Sequence, residues 1–576
     1  MNRSYENTLA TDIDPVKFEV IRNALTMATE EMATTLRRSA YSTNVKTRQD
    51  FSCAFFDKDL RSVAQAFSQP VHLGSFVELI PTSVQRYGSD RIEPGDMIVV
   101  NDPYGGGSHL NDVTVFAPVH HSGQLVGYVC SLAHHVDVGG GAPASIGPFR
   151  EIFQEGVIIP PVKLVKRGEI VKDVFDLLLA QIRSKRVTAG DFRAQIAANY
   201  AGAKRVGLLI DKYGLSEFIR YVNALLDYTS RRTESGIKKL PRGTYKAESF
   251  VDFDGFTDEV VNLCVKVTVD EEGVFFDFDG CDVQRRAPVN STYAMTFAAC
   301  AYVLRALLDK DLPINYGFYK FVRMNAPSGT VVNAVHPGAV VGGWETQVRV
   351  NDTIFLALSN ALPETVAAGC KATMAQVGFG LVDSETGEYH CNYEALAGGY
   401  GGRATEDGPD AVQGHGQNTE NAPVEEIESH FPVRITRLEL LNDSEGAGKY
   451  RGGLGLRRDY YFPYDSATFT ILSDRDIRGP HGLFGGKSGR KAFYILNPDC
   501  DATALTSKSI TQLVPGDTVS FQTPGGGGYG SPEQRDPEMV AKDVLDGKVS
   551  LDRARTIYQV VVDDETTQLD WPATAR

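Results

Sequence analysis

The chain has 576 residues, 42% of them hydrophobic and 23% charged, with a formal net charge of −15 at pH 7. That length predicts roughly two to four domains with sizeable cores, and the acidic balance argues against nucleic acid or an anionic membrane as the main partner. No run of about 18 apolar residues predicts a transmembrane helix, and "MNRSYENTLATDIDPVKFEV" has no apolar stretch of the secretory type. The eight cysteines (Cys53, Cys130, Cys264, Cys281, Cys300, Cys370, Cys391, Cys500) show no CxxC spacing. This excludes a thiolate zinc knuckle and a disulfide framework, and fits reduced thiols in a cytoplasm.

Asp14-Pro15 opens the first element as N-cap and first helical residue, and apolar residues at helical intervals predict a helix over 15–38. "DFSCAFFD" (50–57) and "DMIVVNDP" (96–103) read as strands. "VTVFAPV" (113–119) and "LVGYVCSLAHHVDV" (125–138) flank "HHSGQ" as a hairpin. From Val171 the pattern is helical, with a stop at Gly214 and closure at Pro241. Antiparallel strands follow at 244–255, 260–270 and 273–282. A helix is expected over 291–309, capped by Ser291 or Asn290. The stretch 398–430 has no periodicity, and such a loop is functional or disordered. Strands are expected again at 454–462, 467–472, 491–496 and 517–523, then a short helical hairpin from Asp536.

The expected fold class is α+β: a mixed multi-domain chain with antiparallel sheets, a helical block and a β-rich, glycine-rich C-terminal region. The expected divisions are 1–170 with the hairpin, 171–241 helical, 242–363 α+β, 364–535 loop-rich β, and 536–576 a helical tail.

Five of the 11 histidines fall between His109 and His135, in company with Asp102, Asp112, Asp137 and glycine triplets at 105–107 and 139–141. His109 and Asp112 have HxxD spacing where a loop enters a strand. In an antiparallel hairpin, opposed residues have a constant index sum. A three-residue loop, Ser122–Gln124, makes that sum 246 and places Asp112 opposite His134. A two-residue turn makes it 245, and a one-residue slip puts His135 there instead. Two histidines and a carboxylate leave coordination positions open, which suits Zn, Mn or Fe. The bland alternative is a hairpin with surface histidines, which His120 and His121 fit.

Other motifs carry less. "HGLFGGKSG" (481–489) is one residue out of register with a Walker loop and lacks a following helix, so it reads as a β-turn loop. "TPGGGGYG" (523–530) is not a dinucleotide fingerprint. The two DFDG segments read as strands ending in Asp-Gly turns. Cys281, at a turn, is the only cysteine worth testing as a nucleophile. No cofactor-binding residue for a nucleotide is found, so ATP would have to be bound by another polypeptide.

"NDPYGGGSHLNDVTVFAPV", "AHHVDVGG", "EIFQEGVIIPPVKL", "GDFRAQIAANYAG", "INYGFYKFVRMNAPSGTVVNAVHPGAVVGG" and "SDRDIRGPHGLFGGKSG" together resemble the hydantoinase B/5-oxoprolinase β-type family, over about 15–530. Thr47 stands where relatives commonly carry an acidic residue, so no role follows there. The resemblance implies a hydantoinase A-type ATPase partner, which binds ATP with Mg and has an actin-like fold. It also implies ATP-dependent hydrolysis of small cyclic amides such as hydantoins, 5-oxoproline and lactams. The related carboxylase branch holds its metal through a His-x-x-Asp pair and a later His, which maps onto His109, Asp112 and His134.

The expected function is therefore the β subunit of a cytoplasmic ATP-dependent cyclic amide hydrolase, assembled as α2β2. It would hydrolyse the phosphorylated amide made by its partner, with water activated by Zn or Mn ahead of Fe. His135 and Asp137 are the candidates for proton transfer. The alternatives are the metal-binding subunit of a ketone carboxylase of the acetone/acetophenone type, and a non-catalytic scaffold.

Overall fold

The computed structural model describes residues 13–563, 568–570 and 573–574. The start of the N-terminal stretch and parts of the expected tail lie outside them. The chain is α+β, with helices packed on four sheets.

The first helix, α1 (Pro15–Ser39), is capped by the Asp14 side chain, which accepts from the amides of Val16 and Lys17. A turn of helix, α2 (Thr43–Lys46), precedes β1 (Phe51–Asp57) and β2 (Ser62–Gln65); α3 (Pro70–Tyr87) follows. Then come β3 (Met97–Val100), β4 (Asp112–His121), β5 (Gln124–His134), β6 (Val162–Lys166) and β7 (Glu169–Ile170). These strands form one antiparallel sheet in the order β2-β1-β5-β4-β3-β6-β7.

Three helices close the block expected at 171–241: α4 (Lys172–Ala180), α5 (Lys185–Tyr213) and α6 (Leu215–Ile237). Cys53, Phe55, Val113, Val115 and Val129 pack towards α1, α5 and α6. Ala54, Phe56, Phe116, Cys130 and Leu132 pack with Leu73, Phe76 and Leu79 of α3. Burial on both faces explains why β1 and β3 read as continuous apolar runs rather than alternating ones.

The second sheet holds β8 (Gly243–Val251), β9 (Val261–Val269), β10 (Val274–Asp277) and β11 (Val322–Asn325), in the order β11-β10-β9-β8. Helices α7 (Tyr293–Leu307), α8 (Tyr316–Tyr319) and α9 (Gly343–Leu358) accompany it. The cap of α7 is Thr292, whose side chain accepts from the Met295 amide, rather than Ser291 or Asn290. Asn290 is occupied instead with the carbonyls of Arg285, Ala287 and Ala339.

Two further antiparallel sheets build the C-terminal half. One has the order β13 (Tyr389–Ala395), β12 (Gln376–Val382), β16 (Ala467–Leu472), β19 (Lys508–Leu513). The other runs β14 (Arg434–Leu440), β15 (Leu456–Tyr461), β20 (Thr518–Gln522), β17 (Phe493–Leu496), β18 (Thr503–Ala504). Phe379, Phe469, Tyr460, Phe462 and Phe521 fill the space between them.

The stretch expected as an unpatterned loop carries α10 (Val424–His430), and its glycines have partners within the chain. Gly399 donates to Pro524 O (2.9 Å), Gly453 to Tyr400 O (2.8 Å), Gly526 to Gly453 O (2.9 Å), and Gly446 to Gly526 O (2.7 Å). Extended segments near 398–402, 446–455, 481–489 and 525–530 thus bond to several neighbours at once. A Cβ built on Gly453 would overlap the Pro409 carbonyl oxygen, and one on Gly526 the Tyr400 carbonyl oxygen. Backbone hydrogen bonds hold these segments together, with a few buried apolar side chains such as Ala447 and Leu454 among them. The last helices, α11 (Pro537–Leu545) and α12 (Leu551–Thr556), pack through Val540 and Ala554 onto Ala447 of this bundle.

A candidate metal centre at the open end of the hairpin

The β4–β5 hairpin turns through Ser122 (φ 49°) and Gly123 (φ 80°), a two-residue turn with both central residues in the left-handed region. His121 opposes Gln124 and His120 opposes Leu125, the 245 register. Between His120 and Val119 the register shifts; Val119 opposes Gly127, and the 246 register holds from there to Asp112 opposite His134. One extra residue in β5, Val126, makes the shift. The expected pairing is therefore reached by a short turn plus a bulge, not by a three-residue loop.

At this end of the hairpin three buried side chains converge. One donor atom from each of His109, Asp112 and His134 lies within 4.8 Å of the others. His109 Nε2 is 3.1 Å from His134 Nε2, and His109 Nδ1 is 3.0 Å from Asp112 Oδ2. Ser108 Oγ donates to the same carboxylate oxygen.

Distant elements enclose the trio. Tyr393 of β13 stacks on the His134 ring (centroids 4.4 Å apart, 15° between planes). Trp344, near the start of α9, meets the rings of His109 (5.2 Å) and His72 (5.9 Å) edge-on. Asn44 Nδ2 lies 3.0 Å from His134 Nδ1, and Arg48 Nη1 donates to Asn44 Oδ1 at 2.7 Å.

His72, in the first turn of α3, is a member that the sequence reading did not select. Its Nε2 is 3.4 Å from Asp112 Oδ1 and 3.9 Å from Asp50 Oδ1. A lone histidine on an apolar helix carries no spacing signal, and Asp50 read only as the edge of a strand.

The electrostatics follow from burial against neighbours. Burial alone would raise the Asp112 carboxyl, but His109 and His72 beside it hold it well below the usual carboxylate range. Burial, reinforced by His109, pushes His134 well below the usual histidine value. Burial also opposes the charged form of His72, yet Asp112 and Asp50 outweigh it and raise its pKa. Burial raises Asp50. Asp112 Oδ1 and Asp50 Oδ2 have no hydrogen-bond partner. The nearest donor to Asp112 Oδ1 is His72 Nε2 at 3.4 Å, and buried carboxylate oxygens beside a histidine held neutral are a donor set that suits a divalent cation.

The structure does not bring His135 and Asp137 into this group. His135 Nε2 is 3.0 Å from Gln195 Oε1 and its ring packs on Phe192 of α5. Asp137 accepts from the Arg183 backbone amide (2.8 Å) and guanidinium (2.7 Å). His135 is the first residue past the end of β5, and its side chain lies against α5 rather than with the trio.

The glycine triplets serve backbone packing: a Cβ on Gly106 would sit 2.9 Å from the Glu78 backbone, and one on Gly140 2.5 Å from Gln154 O. Burial pushes the Cys281 thiol up to about 12, which leaves it a poor nucleophile.

Residues 14–532 match the family described as hydantoinase B/oxoprolinase. The chain belongs to that family. A solved structure of an ATP-dependent caprolactamase from Pseudomonas jessenii superposes with a TM-score of 0.91 at 29% identity, covering 98% of this chain and 99% of that one. The nucleotide-free acetone carboxylase structure superposes with a TM-score of 0.90, covering 97% of this chain and 82% of that one; at 20% identity it speaks for the fold alone. 5-Oxoprolinase 1 of Arabidopsis thaliana is 33% identical over 90% of this chain, which spans 42% of that protein. Among the described residues, no helix is long and apolar enough to cross a membrane.

Proposed function

We propose that this family member is the hydrolytic subunit of an ATP-dependent cyclic amide hydrolase, and that His109, Asp112 and His134 hold its divalent metal. The observation that carries the reading is the buried convergence of those three donors. The 29% identity to a caprolactamase over nearly both full lengths supports the branch.

An unstrained amide carbonyl is a poor electrophile. A hydantoinase A-type ATPase partner would activate it by transferring phosphate to the amide oxygen, and this chain would complete the ring opening. A metal bound by the trio supplies Lewis acidity and lowers the pKa of water.

The chain's own residues do the rest. Ser108 and His109 fix the Asp112 carboxylate, and Tyr393 and Asn44 fix the His134 ring. Trp344 and Tyr393 exclude bulk water from the centre. His72, set between Asp112 and Asp50, is placed to hold a proton next to the reacting water. This role falls to His72 rather than to His135 or Asp137, which are engaged elsewhere.

The test is an assay of the complex co-expressed with its ATPase partner against lactams, hydantoins, 5-oxoproline and ketones. Ring opening coupled to ATP, independent of bicarbonate, is the expected result. ATP turnover that requires bicarbonate and a ketone would instead establish the carboxylase reading.

A further inference from the structure

Helix α9 contributes Asp352 to a second buried group of side chains that could hold a metal ion. Asp352, in its last two turns, meets Cys370 and His415, and one donor atom from each lies within 4.8 Å of the others. All three are buried. Trp344, which walls the first centre, lies eight residues earlier on the same helix, about 12 Å along its axis. The two clusters are separate.

The surroundings orient the donors. His415 Nδ1 lies 2.9 Å from the Tyr400 hydroxyl and 3.2 Å from that of Tyr302, so Nε2 is the nitrogen left for another partner. A histidine held through one ring nitrogen presents the other to a metal. The Asp352 carboxylate accepts from Arg475 Nη2 at 2.9 Å and from the Cys370 amide at 3.2 Å. His481 comes from the glycine-rich segment at 481–489, and its Nδ1 is 3.5 Å from Asp352 Oδ2. The Gly369 amide donates to His481 O at 2.9 Å, which ties the chain before Cys370 to the loop that carries His481.

We propose that Asp352, Cys370 and His415 bind a zinc-class divalent ion, and that His481, 3.5 Å from the same carboxylate, swings in to complete a closed, structural site. One thiolate with imidazole and carboxylate donors is a set suited to Zn²⁺ or Co²⁺ and poor for Mg²⁺. Four protein donors leave no coordination position for substrate. The ion joins α9, the segment after it, the 398–418 stretch and the glycine bundle at one point. Binding displaces one proton: the Cys370 S–H bond breaks, sulfur keeps the electron pair and donates it to the metal, and the proton passes to solvent. Arg475 then acts on the carboxylate from outside the coordination shell.

Cobalt distinguishes this site from the hairpin centre, because only this one contains sulfur. The full-length chain, stripped of metal and titrated with Co²⁺, is expected to bind two equivalents, one of which develops a thiolate-to-cobalt charge-transfer absorption. Cys370→Ser is expected to lose that absorption and one equivalent while keeping the other; His109→Ala is expected to do the reverse. The wild-type titration needs no variant to fold. A folded wild-type chain that binds Co²⁺ without the sulfur band overturns the proposal, as does a band that survives in Cys370→Ser.

Discussion

Asp112 faces His134 across the hairpin because a single extra residue, Val126, offsets the two-residue turn at Ser122-Gly123. In the turn's own register His134 would lie opposite Asn111, and the carboxylate and imidazole would sit on different faces. The ligand geometry thus depends on a bulge several residues from the ligands. Replacing His109, Asp112 or His134 singly by Ala is expected to take bound metal from about one ion at this centre to near zero, with circular dichroism unchanged. Metal analysis of the three proteins decides it, and full occupancy in His134→Ala would remove that residue from the set.

His72 acts on Asp112 from the neighbouring helix, so its loss should weaken the centre without abolishing it. His72→Asn is expected to lower metal affinity by about 10- to 100-fold, the usual cost of losing a group that orients a ligand. A metal titration with a competing chelator measures this. Unchanged affinity would show that His72 does not orient the Asp112 carboxylate for the metal.

Glu155 gives a pH dependence with a definite sign. Its Oε1 accepts from the Val340 and Val341 amides at 2.6 and 2.8 Å, its Oε2 has no partner, and burial raises its pKa to about 8. A carboxyl whose folded pKa is raised holds a proton that the unfolded chain has lost. Stability therefore falls as pH rises from the unfolded value, about 4.3, to about 8, by on the order of a few kcal/mol. Glu155→Gln keeps the Oε1 acceptor and removes the titration. Denaturation midpoints of that variant should decline less steeply across this window than those of the wild type.

The strands, the helical block and the hairpin trio were legible because each signal is local: period-2 patterning, a helix stop at Gly214, and ligands three residues apart facing a third across one turn. His72, Trp344 and Tyr393 were not, because they reach the site from α3, α9 and β13, and no spacing within the chain encodes that meeting. The order of the glycine-rich segments was not legible for a different reason. Hydrophobic periodicity measures side-chain burial, whereas Gly399, Gly453 and Gly526 are held by backbone hydrogen bonds at close approach.

The glycine-rich loop at 481–489 is expected to bind no ATP. The Lys487 amide donates to Ala447 O at 2.7 Å and its carbonyl accepts from Gly528 at 2.9 Å, so this backbone is already engaged. No helix follows whose N-terminus would hold phosphate. Equilibrium binding of ATP to the isolated chain should be undetectable, and Lys487→Ala should leave ATP-driven turnover of the assembled complex unchanged. Tight binding lost on that substitution would establish a nucleotide site here.

Two glycine substitutions separate close packing from mere flexibility. Gly453 lies inside the bundle, where a Cβ would overlap the Pro409 carbonyl oxygen and sit 3.0 Å from the Tyr400 amide, both rigid backbone. Gly207 lies on α5 with nothing within 4 Å of an added Cβ. Gly453→Ala must push backbone aside and should cost at least the about 1–3 kcal/mol typical of overpacking. Gly207→Ala removes only the entropic penalty of a helical glycine and should stabilise by about 0.5–1 kcal/mol. Thermal denaturation of the two variants should therefore shift in opposite directions. If Gly453→Ala melts with the wild type, the glycine segments are not packed backbone to backbone, and their order must come from another source such as the ATPase subunit.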